Sequence, residues 1–363
     1  MNFECKSNIL INTINQVSKA RSKNTNQESL QDIYFLLDDH QLTLRATNLE
    51  IFCEKSISVK GIKNGQCLLK GETLVKITNL LQKEDITLKC ELNDNTFYIK
   101  GDKQEIEIKT IPFEDFPILP KQGENIGEIN IEKFITLIKS VSFCSASTEI
   151  KPEISSIFIY SKENDLYAVA TDSYRLAEKT INNETGLNIS VLIPQKNINE
   201  IIGILLEEEG NINIYKNEGL LTLSLGNLTL CINILLGQFP DYKQLFPKEY
   251  TTICELDKND LQKSLTLTTY FTEQYSQVKC KLEDNKLTLN SKNEKIGQVT
   301  NVLDIKKEGN DLEVNYNNKY FLDVFPQING NKIKMFFTTE QRPVFIQSKE
   351  DLSFTYLLMP LNR

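Results

Sequence analysis

The stretch Ile33-Tyr-Phe-Leu-Leu-Asp-Asp-His-Gln-Leu-Thr-Leu-Arg-Ala46 decides the fold of this chain. Apolar residues stand on both sides of the polar turn Asp38–Gln41, a pattern typical of two antiparallel strands joined by a turn. The same strand–turn–strand pattern returns at 156–170 and at 278–290. Matching elements recur about 120–125 residues apart, which is too long for a solenoid repeat. Each copy is therefore predicted to be a domain.

Two helices are predicted in each copy. The first is amphipathic and precedes the strand pair, over Ile9–Val17, Phe134–Val141 and Leu261–Phe271. The second follows the strand pair, over Glu72–Leu81, Gln195–Leu206 and Lys319–Gln327. Asp260 is predicted to cap the first helix of the third copy, and Pro194 to open the second helix of the middle copy. The fold class is therefore predicted to be α+β.

Two proline-bearing segments join the copies. They read Pro112-Phe-Glu-Asp-Phe-Pro117 and Gly237-Gln-Phe-Pro-Asp-Tyr242. Proline stops a helix and disfavours a central strand, so both are predicted to be extended linkers. Their aromatic side chains are expected to dock on the neighbouring domain. The predicted domains are residues 1–118, 119–245 and 246–363.

Composition bounds the class of protein. The length of 363 residues suggests roughly two or three domains, and an apolar fraction of 40% is enough for real cores. No apolar run approaches the ~20 residues that cross a bilayer, and the N-terminus carries no secretory signal. The eight cysteines stand singly, so neither a zinc site nor a disulfide framework is indicated. We expect a cytoplasmic protein with reduced, mostly buried cysteines.

The sequence offers few candidate catalytic residues. His40 is the only histidine, and it stands in a turn beside Asp38 and Asp39, where such residues are ordinary turn formers. No phosphate-binding loop, dinucleotide-binding turn or nucleophile elbow is present. A non-enzymatic protein without a metal or cofactor is predicted. A hydrolase that uses Asp38, Asp39 and His40 is the less favoured alternative.

Two segments depart from the repeat. Ala170-Thr-Asp-Ser-Tyr-Arg-Leu-Ala177 matches Ala46-Thr-Asn-Leu-Glu50, so Thr followed by Asp or Asn is predicted to hold a turn in both copies. Tyr174, Arg175 and Leu176 have no counterpart there and suit either an interface hot spot or internal packing. The tail Tyr356–Arg363 reads as a last strand ended by Pro360, or as the wall of a binding groove.

At these residues the chain resembles the bacterial DNA sliding clamps, the β subunits of the polymerase III holoenzyme. The resemblance runs the whole length, and the segments that carry it are Phe116-Pro117, Ala170–Ala177, Phe239–Tyr242, Leu245–Lys248, Tyr320–Val324, Arg342–Val344 and Tyr356–Pro360. It implies three tandem clamp domains, each with two helices packed on antiparallel sheets. Two chains would close head to tail into a ring of six domains around DNA, a homodimeric processivity factor without enzymatic activity.

The same resemblance implies the partners. A sequence-independent ring on double-stranded DNA would be opened by an ATP-dependent clamp loader. It would hold the replicative polymerase subunit, other polymerases and repair proteins through short peptides that bear a glutamine and a Leu/Phe pair. The peptide groove would use Thr171, Ser173, Tyr174, Arg175, Leu176, Pro240, Leu245, Pro343, Val344, Leu357, Met359, Pro360 and Leu361. The subunit contact would set Ile106 and Ile108 against Tyr270 and Phe271 of the other chain. Ser173-Tyr174 replaces the usual Gly-His, so groove shape and peptide preference are expected to differ.

The net charge of −8 argues against nucleic-acid binding, unless basic residues are concentrated locally. Residues 5–27 contain no acid but four basic side chains. A modestly basic hole with an acidic rim is therefore predicted, and the predicted DNA-facing residues are Arg21, Lys23, Lys151 and Lys196. A three-domain adaptor that binds peptides but not DNA is the remaining alternative.

Overall fold

The computed structural model describes residues 1–22, 28–80, 87–101, 104–113, 116–146, 151–272 and 276–361. Contacts divide the chain into two compact units. The first unit comprises residues 1–135, 185–188 and 196–236, and the second comprises 136–184, 189–195 and 237–363. The first unit thus contains the junction of copies one and two, and the second unit contains that of copies two and three. The boundaries of the three domains stay a prediction.

Six α-helices lie within the described residues: α1 Ser7–Val17, α2 Gly71–Leu80, α3 Ile131–Lys139, α4 Ile198–Leu205, α5 Lys258–Thr269 and α6 Asn318–Leu322. The strands there are β1 Asn2–Lys6, β2 Ile33–Asp38, β3 Gln41–Thr47, β4 Ile51–Ser58, β5 Lys60–Lys63, β6 Gly65–Leu69, β7 Thr87–Asn93, β8 Thr96–Lys100, β9 Glu105–Ile111, β10 Glu124–Asn130, β11 Ser156–Lys162, β12 Asp165–Thr171, β13 Arg175–Asn182, β14 Ser190–Pro194, β15 Asn211–Lys216, β16 Leu220–Leu225, β17 Leu228–Asn233, β18 Thr252–Asp257, β19 Gln277–Glu283, β20 Lys286–Asn293, β21 Gly297–Asp304, β22 Lys306–Gly309, β23 Leu312–Asn317, β24 Lys332–Phe337, β25 Val344–Ser348 and β26 Phe354–Leu358.

The strands form antiparallel sheets. In the first unit, 13 strands follow the order β10-β15-β16-β17-β4-β3-β2-β6-β9-β8-β7-β1-β5. In the second unit, nine strands follow the order β14-β11-β12-β13-β26-β25-β24-β18-β22, and four follow β21-β20-β19-β23. The predicted strand pairs β2–β3, β11–β12 and β19–β20 are confirmed as antiparallel ladders. The predicted α+β class is confirmed.

Three of the differences between the predicted and the observed helix ends have a clear physical reason. Asp257, not Asp260, caps α5, because its carboxylate accepts from the backbone N–H groups of Asn259 and Asp260. Pro194 does not open a helix; it ends the edge strand β14, where its missing N–H costs no ladder bond, and a 3-10 turn precedes α4. The last predicted helix is cut to the short α6, because Pro326 lies in a separate 3-10 turn.

Neighbouring copies share a sheet. In the first unit, β17 of the second copy pairs with β4 of the first, with Leu230 opposite Cys53. In the second unit, β26 of the third copy pairs with β13 of the second, with Tyr356 opposite Ala177. Backbone hydrogen bonds therefore run across both junctions, and each copy covers an edge that the other would leave open.

Side chains from the first copy also cap the end of α4. Lys19 donates to the carbonyl of Gly203 at 2.6 Å, and Gln16 donates to the carbonyl of Ile204 at 2.8 Å. These are carbonyls of the last turn, which has no intrahelical partners for them. Positive charge is favourable there because the helix dipole places negative charge at this end.

The acidic run that follows α4 is partly neutralised by the same junction. Glu207 pairs with Lys19 at 3.1 Å, and Glu208 pairs with Lys55 at 2.5 Å. Gln16 bridges the second pair, because it donates to Glu208 and accepts from Lys55. Two of the acids thus balance lysines of the first copy.

The aromatic residues of each linker pack on the copy that precedes the linker. Phe116 stacks on Tyr34 at 5.3 Å between ring centroids, and Phe113 meets the same ring edge-on at 5.6 Å. In the second linker, Phe239 stacks on Phe158 at 5.2 Å. The hydroxyls of Tyr242 and Tyr160 lie 2.7 Å apart, and Tyr242 and Lys243 both donate to Glu178. The first linker therefore docks on the copy it leaves, and the second docks on the second copy.

All eight cysteines are free and buried, as predicted. Burial raises the pKa of Cys5 to about 11, and those of Cys53, Cys67 and Cys254 to about 12, so these thiols stay protonated at neutral pH. Within the described residues, every helix is too short or too polar to cross a membrane.

The α5 cap gives a first test. Asp257→Ala removes two charge-assisted hydrogen bonds to orphan N–H groups and should lower the free energy of unfolding by about 1 kcal/mol. Asp260→Ala removes only a favourable charge in the first turn and should cost about 0.3–1 kcal/mol at low salt and less at high salt. Urea unfolding at two salt concentrations measures both. A larger loss for Asp260→Ala would contradict the cap assignment.

Candidate functional site

A turn of the same construction follows the hairpin in all three copies. The side-chain oxygen of Asn48 accepts from the N–H groups two and three residues ahead, at 2.9 and 2.8 Å. Asp172 does the same at 2.9 and 3.0 Å, and Asn293 at 3.0 and 3.2 Å. Short Asx side chains close such turns by replacing a backbone acceptor.

A threonine stabilises the turn in the first two copies. The hydroxyl of Thr47 donates to the carbonyl of Ile51 at 2.7 Å, and that of Thr171 donates to the carbonyl of Arg175 at 2.7 Å. Each hydroxyl also accepts from the N–H two residues ahead. That residue has φ near +70° in both turns, at Leu49 and Ser173. Thr171 thus holds the backbone in the way the sequence comparison predicted.

Arg175 is held in a closed cage of protein groups. Its Nε lies 3.0 Å from Asp172, and its Nη1 lies 2.5 Å from Asp323, the residue that ends α6. Its guanidinium lies 4.3 Å from the ring centroid of Tyr320 and 5.6 Å from that of Phe143. The side chain is only 11% exposed. Two of the five N–H donors and one face of the guanidinium are therefore engaged by the protein itself.

The aromatic members of the cage are joined to one another. Phe143 stacks on Tyr356 at 5.8 Å, and the hydroxyl of Tyr356 donates to the carbonyl of Tyr320 at 2.6 Å. Burial raises the pKa of Tyr356 well above its ordinary value, so this hydroxyl remains a donor. These contacts connect β26 and α6 of the third copy to the 3-10 turn at Ser142–Cys144 of the second copy.

The C-terminal strand end is fixed against the same turn. The N–H of Met359 donates to the carbonyl of Tyr174 at 2.9 Å, and the N–H of Leu361 donates to the carbonyl of Asn315 at 2.8 Å. Tyr174 stacks against Tyr320 at 6.4 Å, yet its side chain stays 62% exposed. Tyr174 and the half-buried tail residues Met359–Leu361 form one surface, which we call the rim.

The other predicted groove residues divide by exposure. Ser173, Pro240 and Leu245 are exposed, whereas Thr171, Leu176, Pro343, Val344 and Leu357 are buried. Leu176 lies opposite Leu357 in the β13–β26 ladder, and Val344 lies opposite Leu358 in the β25–β26 ladder. These buried leucines and Val344 therefore belong to the paired strands that lead to the rim. Pro240 lies in the second linker and Leu245 in the 3-10 turn that follows it, beside Phe246, which packs on Phe345 at 5.2 Å.

Two of the residues predicted for subunit contact lie on the part of β9 that pairs only with β8 among the described strands. Ile106 and Ile108 belong to β9; Ile106 is half-buried and Ile108 is buried. Tyr270 is 70% exposed at the end of α5, beside the half-buried Phe271. The exposed face of α5 has a shallow depression of about 400 Å³, lined by Asn259, Gln262, Lys263, Thr266, Leu267 and Tyr270.

The predicted DNA-facing residues have different surroundings. Arg21 is half-buried and Lys151 is exposed. Lys196 is exposed but pairs with Glu50 at 3.1 Å. Lys23 lies outside the described residues.

The histidine turn has a structural role. Nδ1 of His40 accepts from the N–H of Gly61 at 3.2 Å, and Asp38 accepts from the side chain of Asn64. In the part of the chain that the structure describes, no group of three or more His, Cys, Asp or Glu side chains is placed to hold a metal ion.

Sequence reasoning missed three members of the cage. Tyr320 and Asp323 stood in a family-like segment, but nothing in their spacing linked them to Arg175. Phe143 carried a weak signal: it occupies the place in the second copy that Lys19 has in the first, directly after the helix and a serine. These contacts depend on how two copies meet, which no local pattern encodes.

Comparison with known proteins covers the whole chain. Residues 1–120, 128–241 and 243–362 match the models of the N-terminal, central and C-terminal domains of the DNA polymerase III beta subunit. The chain is 25% identical over 374 residues to a beta sliding clamp of Staphylococcus aureus, with 99% of each chain covered. It is 25% identical over 365 residues to that of Haemophilus influenzae, with 99% of this chain and 100% of the relative covered.

Solved structures agree with the fold. The beta subunit from Thermotoga maritima superposes with a TM-score of 0.94 at 23% identity and covers 100% of this chain and 99% of its own. That from Pseudomonas aeruginosa gives a TM-score of 0.93 at 20% identity and covers 100% of both chains.

Tandem copies joined through shared antiparallel sheets define a protein of the clamp class. The chain belongs to the family of DNA polymerase III beta subunits, the bacterial beta sliding clamps. It is therefore a DNA polymerase processivity factor and not an enzyme.

The repeated threonine gives a paired test. Thr171→Val and Thr47→Val keep the branched shape but remove the hydroxyl that donates once and accepts once in each turn. Each should lower the free energy of unfolding by about 1–2 kcal/mol, and the two losses should be similar. Chemical denaturation measures them. A loss confined to Thr171→Val would contradict the shared structural role.

Proposed function

We propose that two copies of this chain close head to tail into a ring around duplex DNA and hold partner proteins by peptides bound at the rim. The observation that carries this proposal is the shared sheet at both copy junctions. Each junction joins the strand after the Asx turn to the last strand of the next copy. The third copy has such a strand in β21, and the first copy has such a last strand in β9. A second chain can therefore supply the missing junction.

The strands β21 and β9 are exposed and can each pair with a further strand. β21 ends its four-stranded sheet, and none of its residues is buried. Val302 of this strand is 55% exposed, and Ile296, directly before the strand, is 65% exposed. Along Glu105–Lys109, β9 pairs only with β8 among the described strands. Open edges of this kind attract a further strand.

The repeat also predicts the register of the closure. Cys53 lies opposite Ala46, Ala177 opposite Ala170 and Val299 opposite Ser291. These positions are therefore equivalent, and the first two face Leu230 and Tyr356 across their junctions. The equivalent residue of β9, counted back from the shared proline at its end, is Ile108. Val299 of one chain should thus face Ile108 of the other, and Thr300 should face Glu107.

The acidic composition is compatible with a ring on DNA. Two acids after α4 pair with lysines, while Arg21 and Lys151 remain candidates for phosphate contact. A few backbone contacts give sequence-independent binding that weakens steeply with salt. Closure of the ring, rather than affinity, would then prevent loss of the clamp. The eight protonated, buried thiols fit the reducing bacterial cytoplasm, where we propose that the protein acts.

A covalent seal tests the ring and its register. Glu107→Cys with Thr300→Cys places two exposed thiols directly opposite each other at both interfaces, so oxidation should yield a covalently closed dimer. After loading by an ATP-dependent clamp loader, the sealed dimer should stay on nicked circular DNA in detergent and leave when the DNA is linearised. Gel electrophoresis and DNA co-purification measure both.

The matched control shifts one partner by two residues. Glu107→Cys with Val302→Cys keeps both thiols exposed on the same face but should cross-link far more slowly. Equal cross-linking of the shifted pair would refute the register. Equal loss of wild-type protein from circular and linear DNA would refute the ring and favour the peptide-binding adaptor.

The rim suits a short peptide with large apolar side chains. Tyr174 offers an exposed ring, and Met359 offers an adaptable apolar surface beside it. The polar backbone of the tail is already bonded to Tyr174 and Asn315, so the rim is fixed before a peptide arrives. A preformed surface of this kind lowers the entropic cost of binding.

Loss of Arg175 and of the tail part of the rim should weaken peptide binding strongly. Arg175→Ala combined with deletion of Met359–Arg363 should weaken binding of a polymerase-tail peptide by about 30-fold or more, as loss of a hot spot does. Fluorescence anisotropy measures the affinity, and sedimentation should still give a dimer. Leu49→Ala changes an exposed residue of the equivalent turn in the first copy and should leave binding unchanged. Retained binding in the truncated variant would put the site elsewhere.

A further inference from the structure

We propose that Asp323 is a positioning residue for the peptide site and acts through Arg175 without touching the peptide. This inference rests on the proposed binding of peptides at the rim. Asp323 would fix the place of Arg175, which the family resemblance implied as a residue of the groove. The cage around Arg175 carries the argument.

The position of the Arg175 guanidinium is set from several sides. Asp172 engages Nε, Asp323 engages Nη1, and the ring of Tyr320 covers one face at 4.3 Å. Only 11% of the side chain is exposed, so its place depends on these protein contacts. The planar fork of arginine can join two carboxylates and stack on a ring at the same time, which a lysine cannot do.

The two carboxylates belong to different copies. Asp172 closes the turn that presents Tyr174, and Asp323 ends α6 of the third copy. Arg175 is therefore the charged connection between the turn and the helix. The ring of Tyr174 rests on Tyr320, one turn of helix before Asp323, so a shift of the turn relative to α6 would separate the rings.

The other junction supports the assignment, because its cation comes from a different position of the repeat. There the cation is Lys19, which stands at the place of Phe143 and reaches the end of α4. The residue at the place of Arg175 is Ile51, which is buried and carries no charge. The first junction thus holds together without a cation in its turn. Arg175 is an addition confined to the junction that has the rim.

The test is the affinity of a polymerase-tail peptide for the full-length dimer. Asp323→Asn keeps the shape of the side chain but removes its charge, and should weaken binding about tenfold. Asp323→Glu keeps the carboxylate and should bind with nearly wild-type affinity. Arg175→Lys keeps the charge but not the planar fork and should bind more weakly than the wild-type protein. The double variant Arg175→Ala with Asp323→Ala should bind no more weakly than Arg175→Ala alone, since both act through one connection.

Controls separate positioning from stability and from the proposed function. Glu313→Gln breaks an exposed ion pair with Lys279 in the same copy and should leave affinity unchanged. Every variant is measured below its unfolding transition, with the dimer verified by sedimentation. Wild-type affinity for Asp323→Asn, or additive losses in the double variant, would overturn the inference. Absence of peptide binding by the wild-type protein would instead overturn the proposed function.

Discussion

The backbone of an edge strand has to find a partner, and this constraint organises the molecule. Each copy of the repeat ends its sheet in a strand whose N–H and C=O groups point outward. At two junctions the next copy satisfies them, through β17 on β4 and β26 on β13. Side-chain contacts at the junctions differ, but the ladder is common to both. The ladder is therefore the primary connection, and the side chains adjust it.

Charge is distributed to serve these junctions. Lys19 and Lys55 form ion pairs with the acids after α4, and Arg175 forms ion pairs with Asp172 and Asp323. A half-buried ion pair with several hydrogen bonds resists screening better than an exposed pair. The net charge of the chain is thus a poor guide to its surface field, because part of both signs is neutralised internally.

The repeat made much of the fold predictable. Hairpins and amphipathic helices depend on local periodicity, so the strand pairs appeared where their patterns stood. Comparison of copies also identified Thr171 as a turn residue, because Thr47 served as an internal control. Helix ends were less predictable: Asp257 and Asp260 both suit a cap, and only the backbone path selects between them. The cage of Arg175 could not be foreseen, since Phe143, Tyr320 and Asp323 meet only when two copies assemble.

The shared Asx turn has a consequence for how the three copies diverge. Asn48, Asp172 and Asn293 fix the backbone of the turn, and the adjoining ladder fixes the junction, so the side chain two residues after the Asx position is free of both tasks. Duplicated modules usually face a conflict between keeping an old role and acquiring a new one. Here the two roles fall on different atoms of one short segment. The side chains that recognise a partner can therefore change in one copy, while the turns and ladders of all three copies stay the same.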